Sequence, residues 1–222
     1  MTHNPPPAAS ETEEAPRTAF VTIGATAGFR PLIEEVASEA FRAKLRALGY
    51  TELVVQCGPD LGYFEGLLGL RPDGRRDGDG DGDGDNGDSK ERCGSVGGMK
   101  ITRFAFTREM ERFFGLASGE EGRRRRRGVV VSHAGSGSIM AALAHDTGLI
   151  AVANPALMDN HQAELAEEME RQGYAVQGKL GSLVEALENV EHHAPKRWPP
   201  TPPADSAYQN GLWEAITDIM PK

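Results

Sequence analysis

Gly128-Val-Val-Val-Ser132 is apolar at every position until its last residue, and His133-Ala-Gly-Ser-Gly-Ser138 follows at once. A strand with one wet face alternates apolar and polar residues. An unbroken apolar run belongs to a strand covered on both faces, as parallel sheets require. Ala19-Phe-Val-Thr-Ile23, Leu53-Val-Val-Gln56 and Leu149-Ile-Ala-Val-Ala153 are of the same kind, Ile101–Phe106 forms a further strand, and Tyr174-Ala-Val176 is a last short one. Between them lie helical stripes. Pro31 suits a first helical position, and Ile33, Val36, Ala37, Ala40, Phe41, Leu45 and Leu48 predict one helix closed by Gly49. Helices are also expected over Ser138–Asp146, Asp159–Gln172 (with an Asp159/Gln162 capping box) and Lys179–Val190. Strands alternating with helices of this length make βαβ units, hence an α/β fold with a parallel sheet and helices on both faces.

The net charge of −9 is unevenly spread. Residues 71–91 carry eight acids against four bases, and residues 1–17 three acids against one arginine. What remains is close to neutral. The Pro-rich start and the Asp-Gly repeats of 71–98 have little to bury, so both are expected to stay unfolded. The chain then divides into a tail over 1–17, a body over 18–193 interrupted at 71–98, and a Pro-rich connector with a terminal amphipathic helix over 194–222. An acidic chain without a basic face is a poor nucleic-acid binder. No apolar run approaches the roughly 18 residues of a membrane span, and the start has no secretory apolar core. With only Cys57 and Cys93, a disulfide framework is not expected.

In a parallel sheet, ligands bind beyond the carboxyl ends of the strands. There the sequence puts Gly24-Ala-Thr-Ala-Gly28, Cys57-Gly-Pro-Asp60, His133–Ser138 and Asn154–Gln162. In the third, Gly135, Ser136, Gly137 and Ser138 lead from a buried strand into a helix, where backbone N–H groups and the helix dipole favour a phosphate or diphosphate. A plain tight turn with Ser138 as helix cap fits the same residues. Asn160, His161 and Gln162 offer amides and an imidazole to sugar hydroxyls, although the capping box also accounts for Gln162. The loop is not a Walker A loop, and Ala153-Asn154 lacks the acid of a nicotinamide ribose site. Asp77 to Asp88 matches a calcium loop only as any Asp-Gly repeat would. Arg123–Arg127 reads as a solvated loop or as a contact for anionic lipid.

Ser132–Ser138, Leu157–Gln162 and Phe20-Val-Thr-Ile-Gly24 together resemble the catalytic subunits of the UDP-GlcNAc transferases of asparagine-linked glycosylation, in glycosyltransferase family 28. The resemblance implies a Rossmann-like fold forming a single GT-B half-domain. It further implies transfer of GlcNAc from UDP-GlcNAc to GlcNAc-diphosphodolichol at the cytosolic face of the endoplasmic reticulum, without a cofactor or metal. A membrane-anchored subunit, met through 207–220, would hold the acceptor. Gly135, Ser136 and Gly137 would cradle the diphosphate, and Asn160, His161 and Gln162 would hold the sugar. Gly24 and Thr26 would face the cleft between subunits. His133 is a candidate base, or a residue that holds the loop. The chain departs from the family where an acid suited to ribose is replaced by Ala141, a Lys-Pro pair by Thr147-Gly148 and a Gly-Arg by Gly58-Pro59. The alternatives are a non-catalytic nucleotide-sugar-binding or scaffolding subunit, and a transferase for another lipid acceptor.

Overall fold

The computed structural model describes residues 15–25, 27–71, 91–119, 125–157, 161–193 and 196. Seven strands form one sheet: β1 (Thr18–Thr22), β2 (Glu52–Gln56), β3 (Arg92–Val96), β4 (Met99–Phe104), β5 (Val129–Ser132), β6 (Gly148–Val152) and β7 (Val176–Gly178). The order across the sheet is β3-β4-β2-β1-β5-β6-β7. Every neighbouring pair is parallel except β3 with β4 at the edge. The chain builds outward from β1 through β2 to β4, then crosses back to lay β5 against the other side of β1. The strand order therefore reverses between β1 and β5, which makes their carboxyl ends the switch point of the sheet.

Alternate side chains of the buried strands feed two cores, as the apolar runs require. On one face Val21, Val55, Val131 and Ile150 pack with α1 (Arg30–Ala37), α2 (Glu39–Ala47), α3 (Leu61–Leu68) and α7 (Leu183–His192). On the other, Phe20, Val54, Val130 and Ala151 meet α4 (Met110–Ala117), α5 (Ser136–Ala144) and α6 (His161–Arg171). Phe113 of α4 stacks on Phe104 with ring centroids 4.4 Å apart, and Phe114 sits edge-on to Phe20 at 5.2 Å.

Several expectations need correction. The stripe over 31–48 is two helices, because Ser38 turns extended (ψ 148°) and its hydroxyl accepts from Phe41 N, capping α2. Helix α5 starts two residues before Ser138, behind Gly135. The stretch 71–98, expected to be unfolded throughout, contributes β3. Gly97 and Gly98 have φ of +59° and +79°, which suits the two-residue turn joining Val96 to Met99. Arg17 is no tail residue. Its guanidinium donates to the carbonyls of Leu48 and Arg127, pairs with Glu191 at 2.7 Å and lies over the Tyr50 ring. The rest of the tail, the Asp-Gly repeats with their calcium-loop match, Arg123 and Arg124, and the terminal helix over 207–220 lie outside the described residues. Among the described residues no helix is long and apolar enough to cross a membrane, and no group of three or more His, Cys, Asp or Glu side chains converges as metal ligands would.

Candidate functional site

The loops after β1 and β5 meet at the switch point through His133. Its imidazole lies against two glycines. A Cβ on Gly24 would come within 2.6 Å of Nε2, and one on Gly135 would overlap it outright. Gly24 is also left-handed, with φ +81°. Both glycines are thus required by the ring, one of them by conformation as well. Burial pushes His133 below its ordinary pKa, opposed by a backbone bond at Thr22. The ring is therefore neutral at neutral pH and contributes shape rather than charge.

Beyond His133 the backbone turns sharply, with Ala134 at φ +60°. Gly135 is extended at the helix cap, and its carbonyl accepts from Ile139 N at 3.0 Å. Ser136, Gly137 and Ser138 are the first turn of α5, so their N–H groups have no carbonyl partner within the helix. Ser136 and Gly137 are exposed. That is the arrangement an anion needs, with free donors, little side-chain bulk and the positive end of a helix dipole.

Ser138 and Gly24 line one cavity of about 190 Å³ with Thr22, Gln56, Phe106 and Met110. Phe106 is 39 % exposed. The cavity thus offers a flat apolar wall beside a polar floor, a combination suited to a planar heterocycle with polar edges. Thr22 and Gln56 of the floor belong to a rung across three strands, because Thr22 is in register with both Gln56 and Ser132. All three side chains are buried, and the Thr22 hydroxyl donates to Gln56 Oε1 at 2.8 Å.

The loop after β6 reaches the same edge. Asn154 Nδ2 donates to Gly28 O at 3.1 Å, and its own backbone N–H is accepted by Gln162 Oε1 at 3.1 Å. Gln162 therefore has its amide oxygen engaged in holding the loop after β6. His161 opens α6 with its side chain 86 % exposed. Asp60, after β2, accepts from Phe29 N at 2.9 Å and from Arg30 Nε at 3.1 Å at the start of α1. The expected residues thus fall into two groups. Gly24, His133 and Gly135–Ser138 come together at the switch point, while His161 and Gln162 begin α6 beside the neighbouring loop. Thr26 and Asn160 lie outside the described residues. Gln56, Asn154, Asp60 and Phe106 were not singled out from sequence. The one legible signal was a polar residue ending an apolar strand at Gln56.

Residues 123–213 match the glycosyltransferase family 28 C-terminal domain. The UDP-N-acetylglucosamine transferase subunit ALG13 of Eremothecium gossypii is 32 % identical over 213 residues, covering 93 % of this chain and 94 % of that protein. This chain belongs to the ALG13 family. The solution structure of ALG13 superposes with a TM-score of 0.57 at 26 % identity, over 83 % of this chain and 90 % of that one. Acinetobacter baumannii MurG shares the fold at a TM-score of 0.50 and 13 % identity, with 42 % of its chain covered. The α/β, Rossmann-like architecture of a GT-B half is therefore that of the ALG13 family.

Proposed function

We propose that this chain is the catalytic, donor-binding subunit of a two-part transferase. It moves GlcNAc from UDP-GlcNAc to GlcNAc-diphosphodolichol, in dolichol-linked oligosaccharide synthesis for protein N-glycosylation. The observation that carries this reading is the free first turn of α5, open at the switch point beside the cavity of Phe106. A diphosphate at that turn would meet the N–H groups of Ser136, Gly137 and Ser138, the base would lie against Phe106, and the sugar would extend toward His161 and Gln162. Thr26 and Asn160 complete the proposed set.

In the reaction the acceptor hydroxyl attacks the anomeric carbon from the face opposite UDP. A carbon–oxygen bond forms there as the bond to the diphosphate breaks, and the hydroxyl proton passes to a base. Charge develops on the departing diphosphate, and fixed N–H dipoles stabilise it without reorganisation. His133 is assigned to bracing the loops, because its ring is wedged between Gly24 and Gly135. The base then belongs to the acceptor side, on the partner. A cavity of about 190 Å³ is smaller than the sites that enclose whole small ligands, roughly 300–1,000 Å³. A second subunit, membrane-anchored and met through 207–220, would complete the cleft and hold the lipid at the cytosolic face of the endoplasmic reticulum.

One observation favours a second reading, a nucleotide-sugar-binding subunit without catalytic output. Ala141 of α5 packs, partly buried, against the core that holds Phe20 and Phe113, and offers no acceptor to a ribose hydroxyl. The test is transfer from labelled UDP-GlcNAc to a dolichol-linked GlcNAc acceptor, by the chain alone and with its membrane partner. The donor-binding reading predicts chitobiosyl lipid from the complex only. A folded complex that makes none supports the non-catalytic reading instead.

A further inference from the structure

Asn154 follows β6 at the ligand edge and is only 6 % exposed. A buried amide is unfavourable unless its bonds are remade inside. Here they are. Nδ2 donates to Gly28 O at 3.1 Å, and Oδ1 accepts from Ala156 N at 3.0 Å. The backbone N–H of Asn154 donates to Gln162 Oε1 at 3.1 Å, and its carbonyl accepts from Leu157 N at 3.2 Å. A peptide N–H only donates and a peptide carbonyl only accepts. Both side-chain amides are therefore fixed in sense. Asn154 turns Nδ2 to Gly28, and Gln162 turns Oε1 to Asn154 and Nε2 away from it.

These bonds are not equivalent. Three of them stay within 154–162, where they form an Asx turn and seat Gln162 against it. The fourth leaves the loop. Among the described residues, the bond to Gly28 is the one hydrogen bond that ties 154–157 to another loop. The β1–α1 segment does not depend on it in return. Phe29 N donates to Asp60 Oδ2 at 2.9 Å, and Gln56 engages both the N–H and the C=O of Gly24. Asn154 is thus what registers the β6–α6 loop, and Gln162 with it, against a segment pinned by other residues.

We propose that Asn154 is a positioning residue for the donor's sugar: by fastening the β6–α6 loop to Gly28 it sets where the Gln162 amide stands and which end it offers. This rests on the donor-binding reading above, in which the sugar extends toward Gln162. With Oε1 engaged, Gln162 meets the sugar as a hydrogen-bond donor, to a hydroxyl or acetamido oxygen. Asn154 does not line the cavity of Phe106, and none of its bonds goes to the first turn of α5. Its loss should therefore weaken the hold on the sugar and leave the contacts to UDP in place.

The test is Asn154→Ser in the complex with the membrane partner, with UDP-GlcNAc and UDP titrated separately by calorimetry. Serine adds no charge and keeps an oxygen for the turn with Ala156 N, but is too short to reach Gly28 O. One well-placed hydrogen bond corresponds to about three- to tenfold in affinity. UDP-GlcNAc should bind at least about threefold more weakly than to wild type, and UDP within about twofold of wild type. A general loosening of the cleft would weaken both alike. A smaller loss for UDP-GlcNAc, or an equal loss for UDP, overturns the proposal. If wild type binds neither ligand, the donor-binding reading falls; if it binds both and Asn154→Ser changes neither, only the role of Asn154 falls. Should Asn154→Ser not fold, amide exchange of the wild-type complex decides. UDP-GlcNAc should slow exchange over 154–157, beside the Gln162 amide, and UDP should not. Equal exchange there with either ligand overturns the proposal.

Discussion

At the scale of single residues, the site is decided by what sits against its glycines. Gly135 has an ordinary φ of −73°, so its requirement for glycine comes from the His133 ring alone. Gly135→Ala should therefore destabilise the fold by about 1–3 kcal/mol through overpacking. Adding His133→Ala should return part of that loss, because the atom in the way is gone. Denaturant unfolding of the two single variants and the double variant checks this; strictly additive effects would mean that the ring and the glycine do not meet. Sequence showed that Gly135 and Gly137 form a small-residue loop suited to an anion. It could not show that His133 demands Gly24, since that contact spans two strands brought together only by the sheet order. Gln56 was obscured for the same reason. Its partners lie in and just after β1 and just after β4.

At the scale of elements, the buried strands were legible because apolar runs of four or five residues have few other uses. The helices were less so. Gly62 and Gly66 interrupt the pattern of α3, and Ser38 divides a stripe whose periodicity is continuous. β3 was hidden by the Asp-Gly repeats before it, although Gly97-Gly98 is a hairpin signal. The edge hairpin is tied to α3 by charge. Arg103, fully buried, pairs with Glu65 at 2.8 Å, and Glu65 pairs with Arg92 at 2.9 Å. Taking away the shared carboxylate leaves a buried guanidinium unpaired. Glu65→Ala should cost about 3–5 kcal/mol in urea unfolding. A loss below about 1 kcal/mol would show that water or a neighbour replaces the carboxylate.

At the scale of the whole molecule, strand order turns ordinary loops into a site. The sheet reverses between β1 and β5, and His133 joins the two loops there. Asn154 bonds to Gly28 and Asp60 to Phe29, fastening the adjoining loops to the same β1–α1 segment. One edge is braced from four strands, and the free first turn of α5 stands within it. Sequence anticipated which loops share that edge, because a parallel sheet puts every strand end on one side. The switch point itself followed only from the order β4-β2-β1-β5-β6. On the donor-binding reading, this turn receives the diphosphate of UDP-GlcNAc. Amide exchange on the complex with its membrane partner, with and without UDP-GlcNAc, tests it most directly. The donor should slow exchange over 135–138. Undiminished exchange there at saturating UDP-GlcNAc would contradict it.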